Sequence, residues 1–467
     1  MSVLNGRVHI VGIGGAGMSG IARILIARGT SVSGSDAKES RRLTSLIPLG
    51  ADVYVEHDSA RMLANGKPDV IVISTAIGES NPEIQTAREL GIPVVNRASA
   101  LAELVAGAIG VSVSGTHGKT TTTSMLTMIL QHAGLDPSFA IGSEMNESGS
   151  NAHQGTGEHF VVEADESDGT FLVLPTTAAI VTNVEPDHLN YWETFEKLEH
   201  AFVDFIGNTK AHDGFAVVCC DDSVTKNVAE RAAKQGARVI SYGLAGDNDA
   251  VVTMHSSQTA GSVFTVTYKQ EIFGPINLVV PGEHNALNAT AALIVALELG
   301  CTPESAVAGL EAFTGTHRRF EFRGEMAGVR VFDDYAHHPT EIDAVLRAAR
   351  TVAGAGRVLA AFQAHHFYRT ALFSKEFGQA LGLADYVVVL EVFAPGETPI
   401  PGASGSVMAS NVPLPDEAVA FEPSWSAVPG LLADNAQPGD IIMTLGAGDI
   451  GLMCPSILEL LSHKVAQ

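Results

Sequence analysis

The stretch VSVSGTHGKTTTTSMLTMIL, residues 111–130, joins a short apolar strand to a helix through a turn that contains two glycines. Gly115 and Gly118 allow the backbone to turn sharply, and Lys119 and Thr120 follow where the helix begins. The amides of such a turn bind phosphate oxygens, the lysine neutralises terminal phosphates and the hydroxyl can hold Mg²⁺. The stretch therefore predicts a P-loop within a parallel α/β domain.

The predicted loop is shorter than the common GxxxxGK[ST] pattern, because only Thr116 and His117 separate its glycines. A helix start capped by threonines is the alternative interpretation. The apolar strand before the turn and the helical spacing of apolar residues after it favour a nucleotide site. The residues predicted to bind the phosphates are Gly115, Thr116, His117, Gly118, Lys119, Thr120 and Thr121.

A second glycine turn, GIGGAG at residues 12–17, follows the first apolar strand of the chain. It fits the GxGxxG pattern, in which phosphates bind amides at a helix N-terminus. Asp36 ends the next strand, where a ribose-binding acid lies in dinucleotide folds. Tight packing of the turn is the alternative, and the pattern leaves the nucleotide open. The ligand-binding residues predicted here are Gly14, Gly15, Ala16, Gly17, Met18, Ser19 and Asp36.

Short apolar strands alternate with amphipathic helices along the chain, which predicts an α/β fold. The first group of strands lies at 8–13, 31–35, 70–74 and 93–96, with a helix over 18–28. The second lies at 108–114, 160–163, 178–183 and 216–220, followed by a hairpin pattern at 263–268 and 276–280 and a helix over 285–299. The third lies at 329–333, 358–362, 386–390 and 440–445, with a long loop at 394–415.

The 467 residues predict two or three domains, since a single core rarely grows beyond about 250 to 300 residues, and the three groups of strands favour three. They are a Rossmann-like N-terminal domain over residues 1–106, a central P-loop ATPase-type αβ domain over 107–317, and a Rossmann-like C-terminal domain over 318–467.

The composition excludes several classes of function. A formal charge of -24 without a long basic run argues against a nucleic-acid surface. No signal peptide is visible, and no apolar run reaches the roughly 20 residues of a membrane helix. The four cysteines lack zinc-site spacing, which indicates reduced thiols. We expect a cytoplasmic protein, without membrane insertion or a nucleic-acid partner.

Seven motifs, in order and across all three predicted domains, resemble those of the Mur ligase family. They read HIVGIGGAGMSGIA at 9–22, GTHGKTTTT at 115–123, EADESDG at 163–169, TNVEPDHL at 182–189, HNALNA at 284–289, RRFEFRG at 318–324 and DDYAHHPTEI at 333–342. The motifs GIGGAGMSG and DDYAHHPTE favour the alanine-adding members over those that add later amino acids or a recycled peptide.

The resemblance implies the ATP-dependent joining of L-alanine to the lactyl carboxylate of UDP-N-acetylmuramic acid through an acyl phosphate, in peptidoglycan precursor synthesis. ATP and Mg²⁺ are the implied cofactors, and the expected state is a monomer or a homodimer. The resemblance also implies that the first glycine turn binds the diphosphate of the UDP-sugar. His57, Ser74 and Thr75 are weaker candidates for that pocket.

The implied catalytic residues are Lys119, Glu163 and His188, and the implied metal ligands are Thr120, Glu163 and His188. Two anions must approach each other in this reaction, so a metal and cations have to neutralise them. Glu163 follows an apolar strand, whereas Asp165, Glu166 and Asp168 are interpreted as a solvated acidic turn. A structural role is the alternative for His188.

Four further residues are implied to contact ATP. Asn285 and Asn288 share one helix face and could bind adenine, with helix capping as the alternative for Asn285. Arg319 is expected near the phosphates, and a hinge arginine is the alternative. Asp334 is expected to contact the nucleotide when the third domain closes.

The amino-acid pocket is implied to come from the third domain through Tyr335, His337, His365 and Arg369. Arg369 is the candidate for binding the substrate carboxylate. The segment FQAHHFYRT at 362–370 departs from the expected FQPHxxxRT, with Ala364 in place of proline and His366 where some members have arginine. The adjacent histidine pairs lack metal-ligand spacing, so no structural metal is expected there.

Two hypotheses from other classes compete with a ligase. A nicotinamide-dependent oxidoreductase would use the first glycine turn but leaves Lys119 and the central domain unexplained. A non-catalytic nucleotide-binding regulator would not need Lys119, Glu163, His188 and Arg319 together.

Overall fold

The computed structural model describes residues 4–74, 76–146, 148–255 and 261–465. The chain forms two compact units. One comprises Met1–Thr253, Phe264–Ile276 and Leu287–Phe313, and the other comprises Met254–Val263, Asn277–Ala286 and Thr314–Gln467. Within the described ranges, none of the helices has both the length and the apolar character that crossing a bilayer requires.

The N-terminal sheet is a five-stranded parallel sheet of the Rossmann type. Its strands are β1 Arg7–Val11, β2 Ser31–Asp36, β3 Asp52–Val55, β4 Val70–Ile73 and β5 Val94–Asn96. Its helices are α1 Ala16–Ala27, α2 Arg41–Thr44, α3 Ser59–Leu63, α4 Pro82–Glu89 and α5 Arg97–Val105. The order β3-β2-β1-β4-β5 reverses direction beside β1, so the turn after β1 opens at the carboxyl edge where ligands bind.

The central sheet has ten strands in the order β15-β14-β13-β12-β11-β10-β6-β9-β7-β8. These are β6 Ile109–Ser114, β7 Ser138–Ala140, β8 Ala152–His153, β9 His159–Glu163, β10 Ala178–Val181, β11 Phe215–Cys219, β12 Val239–Gly243, β13 Ala250–His255, β14 Ser262–Tyr268 and β15 Glu271–Leu278. The helices are α6 Lys119–His132, α7 Leu189–Trp192, α8 Phe195–Asn208, α9 Ser223–Lys234, α10 Glu283–Glu298 and α11 Pro303–Glu311. Strand β6 lies between β9 and β10 and runs parallel to both, so the P-loop and Glu163 end at the same edge.

The third sheet has six strands in the order β16-β17-β21-β18-β19-β20. They are β16 Glu321–Met326, β17 Val329–Asp334, β18 Val358–Phe362, β19 Tyr386–Val389, β20 Val419–Phe421 and β21 Ile441–Leu445. Its helices are α12 Pro339–Ala353, α13 Phe367–Leu381, α14 Gly405–Ala409, α15 Val428–Asn435 and α16 Cys454–Val465. Two separate apolar clusters on this sheet, one including Phe362 and the other including Ile457, show that helices cover both faces.

The predicted α/β fold is confirmed, with one sheet for each of the three predicted domains, while the domain boundaries stay predictions. The sequence patterns missed β3, β7, β8, β12, β13, β16 and β20, several of which are too short to show a period. The predicted loop at 394–415 is wrong in part, because Gly405–Ala409 is a helix that begins where the side chain of Ser404 accepts a hydrogen bond from the Val407 N–H. Helix α10 begins at Glu283, two residues before the predicted start.

Candidate active site

The P-loop forms because two glycines occupy positions that other residues could not. Gly115 has φ 134°, and a Cβ there would lie 2.0 Å from Oγ1 of Thr182. Gly118 has φ 82° and precedes the first residue of α6, and a Cβ there would lie 2.6 Å from Oδ1 of Asn288. The loop therefore packs closely against Thr182, directly after β10, and against Asn288 of α10.

Lys119 lies folded back over its own loop. Its Nζ donates to the carbonyls of Gly115 and Thr116 at 2.7 Å and 3.2 Å. It also lies 3.0 Å and 2.8 Å from the two carboxylate oxygens of Glu166. The lysine ammonium is thus held at the loop by one carboxylate and two carbonyls, all of which negative phosphate oxygens could replace.

Glu166 is a functional candidate that the sequence analysis missed. It is only 1% exposed, so the interpretation of this acid as part of a solvated turn is wrong. Burial raises the pKa of Glu166 to about 7, against the opposing effect of Lys119. Burial also opposes the charge of Lys119, yet Glu166 and Asp165 hold the pKa of that ammonium above its ordinary value. The lysine therefore stays a cation.

Thr120 and Glu163 form an oxygen cluster beside the loop. Oγ1 of Thr120 donates to Oε1 of Glu163 at 3.0 Å, and the amide of Gly142 donates to Oε2 at 2.7 Å. A Cβ at residue 142 would lie 2.8 Å from Oε1, so glycine leaves room around the carboxylate. Hard oxygen donors of this kind suit Mg²⁺, and these two residues fit such an ion.

Arg97 is the second residue that the sequence analysis missed. Its Nη2 lies 2.9 Å from Oδ2 of Asp168 and 3.7 Å from Oδ2 of Asp165, so these two acids are also paired and not simply solvated. Burial opposes the charge, but both carboxylates hold the pKa of Arg97 above its ordinary value. Arg97 begins α5 directly after β5, and this position at a carboxyl edge was the only signal in the sequence.

A cavity of about 240 Å³ connects the first glycine turn with the oxygen cluster. Ala16 and Gly17 line one side, Glu163 and Asp165 line another, and Arg97 lies between them. All of these residues belong to one compact unit. The structure thus brings together two motifs that are far apart in the sequence.

The first glycine turn presents the N-terminus of α1. The amide of Gly14 donates a hydrogen bond to Oδ2 of Asp36 at 2.9 Å. The amide of Gly15 donates to the Gly12 carbonyl at 3.1 Å. Among the described residues, no side chain caps α1, whose first amides belong to Ala16 and Gly17. Asp36 thus organises the turn, and the first-turn amides of α1 are the better anion donors.

The remaining candidates for the UDP-sugar pocket differ in accessibility. Met18 and Ser19 are buried at 2% and 1% exposure, and the amide of Ser19 donates to the Gly15 carbonyl at 2.9 Å. His57 contacts Ser35, with 2.7 Å between Nδ1 and Oγ. Ser74 accepts a hydrogen bond from the Ala76 amide at 3.3 Å. Thr75 lies outside the described residues, and the pocket as a whole stays a prediction.

Asn285 and Asn288 lie one turn apart on α10 and are both buried. Asn288 lies against the P-loop at Gly118. The side chain of Asn285 donates from Nδ2 to the Pro281 carbonyl at 2.7 Å, and its position inside α10 is incompatible with the capping alternative.

His188 begins the turn before α7 with φ 52°. Its Nε2 lies 3.6 Å from Oδ2 of Asp187, and its side chain is 28% exposed. His117 similarly lies 3.4 Å from a carboxylate oxygen of Glu185. A metal-binding role of His188 therefore stays a prediction, whereas Thr120 and Glu163 are already in contact.

In the other compact unit, Asp334 is a structural acid. Its carboxylate accepts hydrogen bonds from the amides of Phe320 and Ala336, both at 2.7 Å. Burial raises the pKa of Asp334 to about 6, although Arg319 and the two amides oppose the rise. Nη1 of Arg319 lies 3.8 Å from Oε1 of Glu341, and its Cζ lies 5.3 Å from the centre of the Tyr335 ring. A nucleotide contact by Asp334 stays a prediction.

The predicted amino-acid residues lie on two neighbouring segments of this unit. The rings of Tyr335 and His337 pack edge to face at 5.4 Å. Arg369 lies in the first turn of α13, is 1% exposed and donates from Nη1 to the His365 carbonyl at 3.3 Å. Burial and the nearby cations lower the pKa of His365 to about 4, so it is neutral near pH 7.

Comparison with known proteins agrees with this geometry. Three family models match consecutive parts of the chain: the Mur ligase family catalytic domain at residues 7–108, the Mur ligase middle domain at 113–296 and the Mur ligase glutamate ligase domain at 318–448. A UDP-N-acetylmuramate–L-alanine ligase of Acidothermus cellulolyticus is 54% identical over 98% of this chain and 96% of its own. The chain belongs to the Mur ligase family.

Solved Mur ligases have the same fold. The crystal structure of the UDP-N-acetylmuramate–alanine ligase of Thermotoga maritima covers 99% of this chain and 100% of its own, with TM-score 0.81 and 27% identity. A murein peptide ligase of Psychrobacter arcticus covers 98% of each chain, with TM-score 0.70 and 24% identity. The predicted membership of the Mur ligase family is confirmed.

Proposed function

We propose that this Mur ligase joins L-alanine to the lactyl carboxylate of UDP-N-acetylmuramic acid, with hydrolysis of ATP to ADP and phosphate. The observation that carries the proposal is the cavity that runs from Gly17 to Glu163 past Arg97. A sugar nucleotide with its diphosphate on the amides of α1 would extend its acyl group through this cavity towards the P-loop. The alanine-adding relative from Acidothermus, at 54% identity, supports the same substrates.

The proposed reaction begins with transfer of the terminal phosphate of ATP to the substrate carboxylate. Lys119 would exchange its contact with Glu166 for phosphate oxygens and so neutralise the charge that two approaching anions create. Thr120 and Glu163 would hold Mg²⁺, which neutralises phosphate charge when bound. Arg97 lies between the carboxylates and Gly17 and would orient the sugar substrate.

The second step is attack of the alanine amine on the acyl phosphate, which forms the amide and releases phosphate. Arg369 would bind the amino-acid carboxylate, since a buried guanidinium presents a planar pair of donors. Since His365 is neutral near pH 7, Arg369 supplies the positive charge for the carboxylate in this part of the segment. We propose the cytoplasm as the compartment and a monomer or homodimer as the state.

Phosphate release by the purified full chain tests this function. ATP, Mg²⁺ and UDP-N-acetylmuramic acid are combined with L-alanine, glycine, L-serine, L-glutamate, a free tripeptide that begins with L-alanine, or no amino acid. Release that needs every substrate and is fastest with alanine is expected, and the product should gain the mass of one alanyl residue. A preference for the tripeptide would favour the recycling ligases instead. Absence of release together with NAD(P)H oxidation would favour the oxidoreductase hypothesis.

A further inference from the structure

The segment that carries Arg369 is joined to a separate loop by a pair of residues. His366 immediately precedes α13 and has φ 74°, a left-handed value that a non-glycine residue adopts only when its surroundings hold it there. Its amide donates to the Phe393 carbonyl at 3.1 Å, and the Phe393 amide donates to the Ala364 carbonyl at 2.8 Å. The backbone around 364–366 is thus fixed by the loop that follows β19.

Glu397 in the same loop adds a second connection. One carboxylate oxygen accepts from Nδ1 of His366, and the other accepts the amide of Phe367 at 2.9 Å. Both groups lie at the N-terminus of α13, where the helix dipole favours a negative charge. Although burial opposes the charge, the Phe367 amide and the His366 imidazole hold the pKa of Glu397 below its ordinary value.

Arg369 depends on the same helix turn. It lies three residues after His366, and its guanidinium donates to the carbonyl of His365. The ring of His365 stacks on that of Phe393 at 5.7 Å, so the carbonyl that Arg369 contacts is itself held by the loop. A shift of the turn would therefore move the guanidinium, and small misplacements of a binding group are costly.

We propose that Glu397 is a positioning residue: by joining the loop to His366 and to the amide of Phe367, it orients Arg369 for the carboxylate of the amino acid. This inference rests on the proposed function. The simpler alternative is a partly exposed ion pair, since the side chains of His366 and Glu397 are 33% and 30% exposed. Such a pair contributes little to stability and nothing to substrate selectivity.

The two possibilities differ in which Michaelis constant changes. We would measure phosphate release with alanine, ATP or UDP-N-acetylmuramic acid varied in turn, for the wild type, Glu397→Gln, His366→Leu and the double variant. Glu397→Gln and His366→Leu are each expected to raise the KM for alanine about tenfold, the effect of losing one charge-assisted hydrogen bond. The other two KM values and the melting temperature should stay near those of the wild type.

Two further variants complete the design. His366→Arg keeps a hydrogen-bond donor beside Glu397 and should retain most of the affinity for alanine. Glu417→Gln, an exposed acid in the same unit, serves as the matched control and should behave as the wild type. The KM for alanine of the double variant should not exceed that of the more affected single variant, since both substitutions remove the same contact between His366 and Glu397.

Three outcomes overturn the inference. If the KM for alanine of Glu397→Gln equals that of Glu417→Gln, the pair of His366 and Glu397 is only a surface contact. A parallel rise of all three KM values, or additive losses in the double variant, would indicate general damage to the domain. A wild type without alanine dependence would overturn the proposed function and this inference with it, and that result is obtained before any variant is compared. If Glu397→Gln does not fold, the KM for alanine of His366→Leu is compared with that of His366→Arg. Equal values in these two variants would then overturn the inference.

Discussion

The Nζ of Lys119 lies 2.8 Å from Oε2 of Glu166, and both side chains are enclosed by the protein. A buried ammonium without a counter-charge is costly, so Glu166 stabilises the loop when no nucleotide is bound. A triphosphate would bring its own negative charge to the same ammonium. The Glu166 carboxylate and the triphosphate would therefore compete for the ammonium of Lys119.

Glu166→Gln should therefore lower the melting temperature of the nucleotide-free protein, by the equivalent of about 1 kcal/mol, because Asp165 still holds the charge of Lys119 and the charge of Glu166 is itself costly to bury. Saturating ATP with Mg²⁺, in the absence of the other substrates, should reduce the difference from the wild type, because phosphate replaces the lost charge. Differential scanning fluorimetry measures both. Glu230→Gln, an exposed acid on α9, is the matched control. A difference that is equally large with and without ATP would contradict the exchange.

Arg97 should determine the affinity for the sugar substrate. Arg97→Gln removes the charge that lies between Asp168 and Gly17, and we expect the KM for UDP-N-acetylmuramic acid to rise about tenfold or more. The KM for ATP should change little. Steady-state phosphate release with each substrate varied separates the two values. Arg88→Gln is the control, since Arg88 pairs with Glu79 on the surface. An unchanged KM for the sugar substrate would exclude this role.

The sequence predicted those parts of the site that lie next to each other in the chain. Strand β6, the glycine turn and α6 follow from apolar periodicity and glycine positions, and Glu163 follows from its place after an apolar strand. Arg97 is separated from Asp168 by 71 positions, so the pair depends on how the first and central sheets pack. Periodicity within either segment carries no information about that packing.

Burial explains the other missed residue. Asp165, Glu166 and Asp168 form an acidic run that composition alone assigns to a solvated surface. The folded chain places one basic side chain at Glu166 and another between the two aspartates, which makes the run an internal ion-pair network. The short strands β7 and β8 were missed for a related reason, since two or three residues cannot display a period.

His284 should contribute to the loss of stability in acid. Burial first, and then the charge of Arg319, lower the pKa of His284 from 6.5 to about 4 in the folded chain. The unfolded chain therefore binds a proton near pH 6.5 that the folded chain binds only near pH 4, so stability falls as pH falls through this interval. Between pH 7 and 5 the loss from this group is about 2 kcal/mol.

His284→Gln should remove that part of the pH dependence. We expect a smaller decrease of the melting temperature from pH 7 to pH 5 than in the wild type, measured in matched buffers without nucleotide. His132→Gln, at an exposed position on α6, should retain the decrease of the wild type. If His284→Gln and His132→Gln give the same decrease, the His284 imidazole is not responsible.

Gly115→Ala tests whether the P-loop needs space or only backbone freedom. At φ 134° a Cβ would lie 2.0 Å from Oγ1 of Thr182 and 3.0 Å from the Thr182 amide, so the loop or the backbone at Thr182 must move. Gly134 has φ 74°, and a Cβ added there would meet no atom of the described residues within 4 Å, so Gly134→Ala has unfavourable backbone geometry without the clash. Both variants should lose about 1 kcal/mol from the backbone term. Only Gly115→Ala should also lose ATP binding, measured by calorimetry with Mg²⁺, because displaced loop amides no longer converge on the phosphates. Equal ATP affinity in the two variants would show that the loop can accommodate a methyl group and that the contact with Thr182 does not fix its shape.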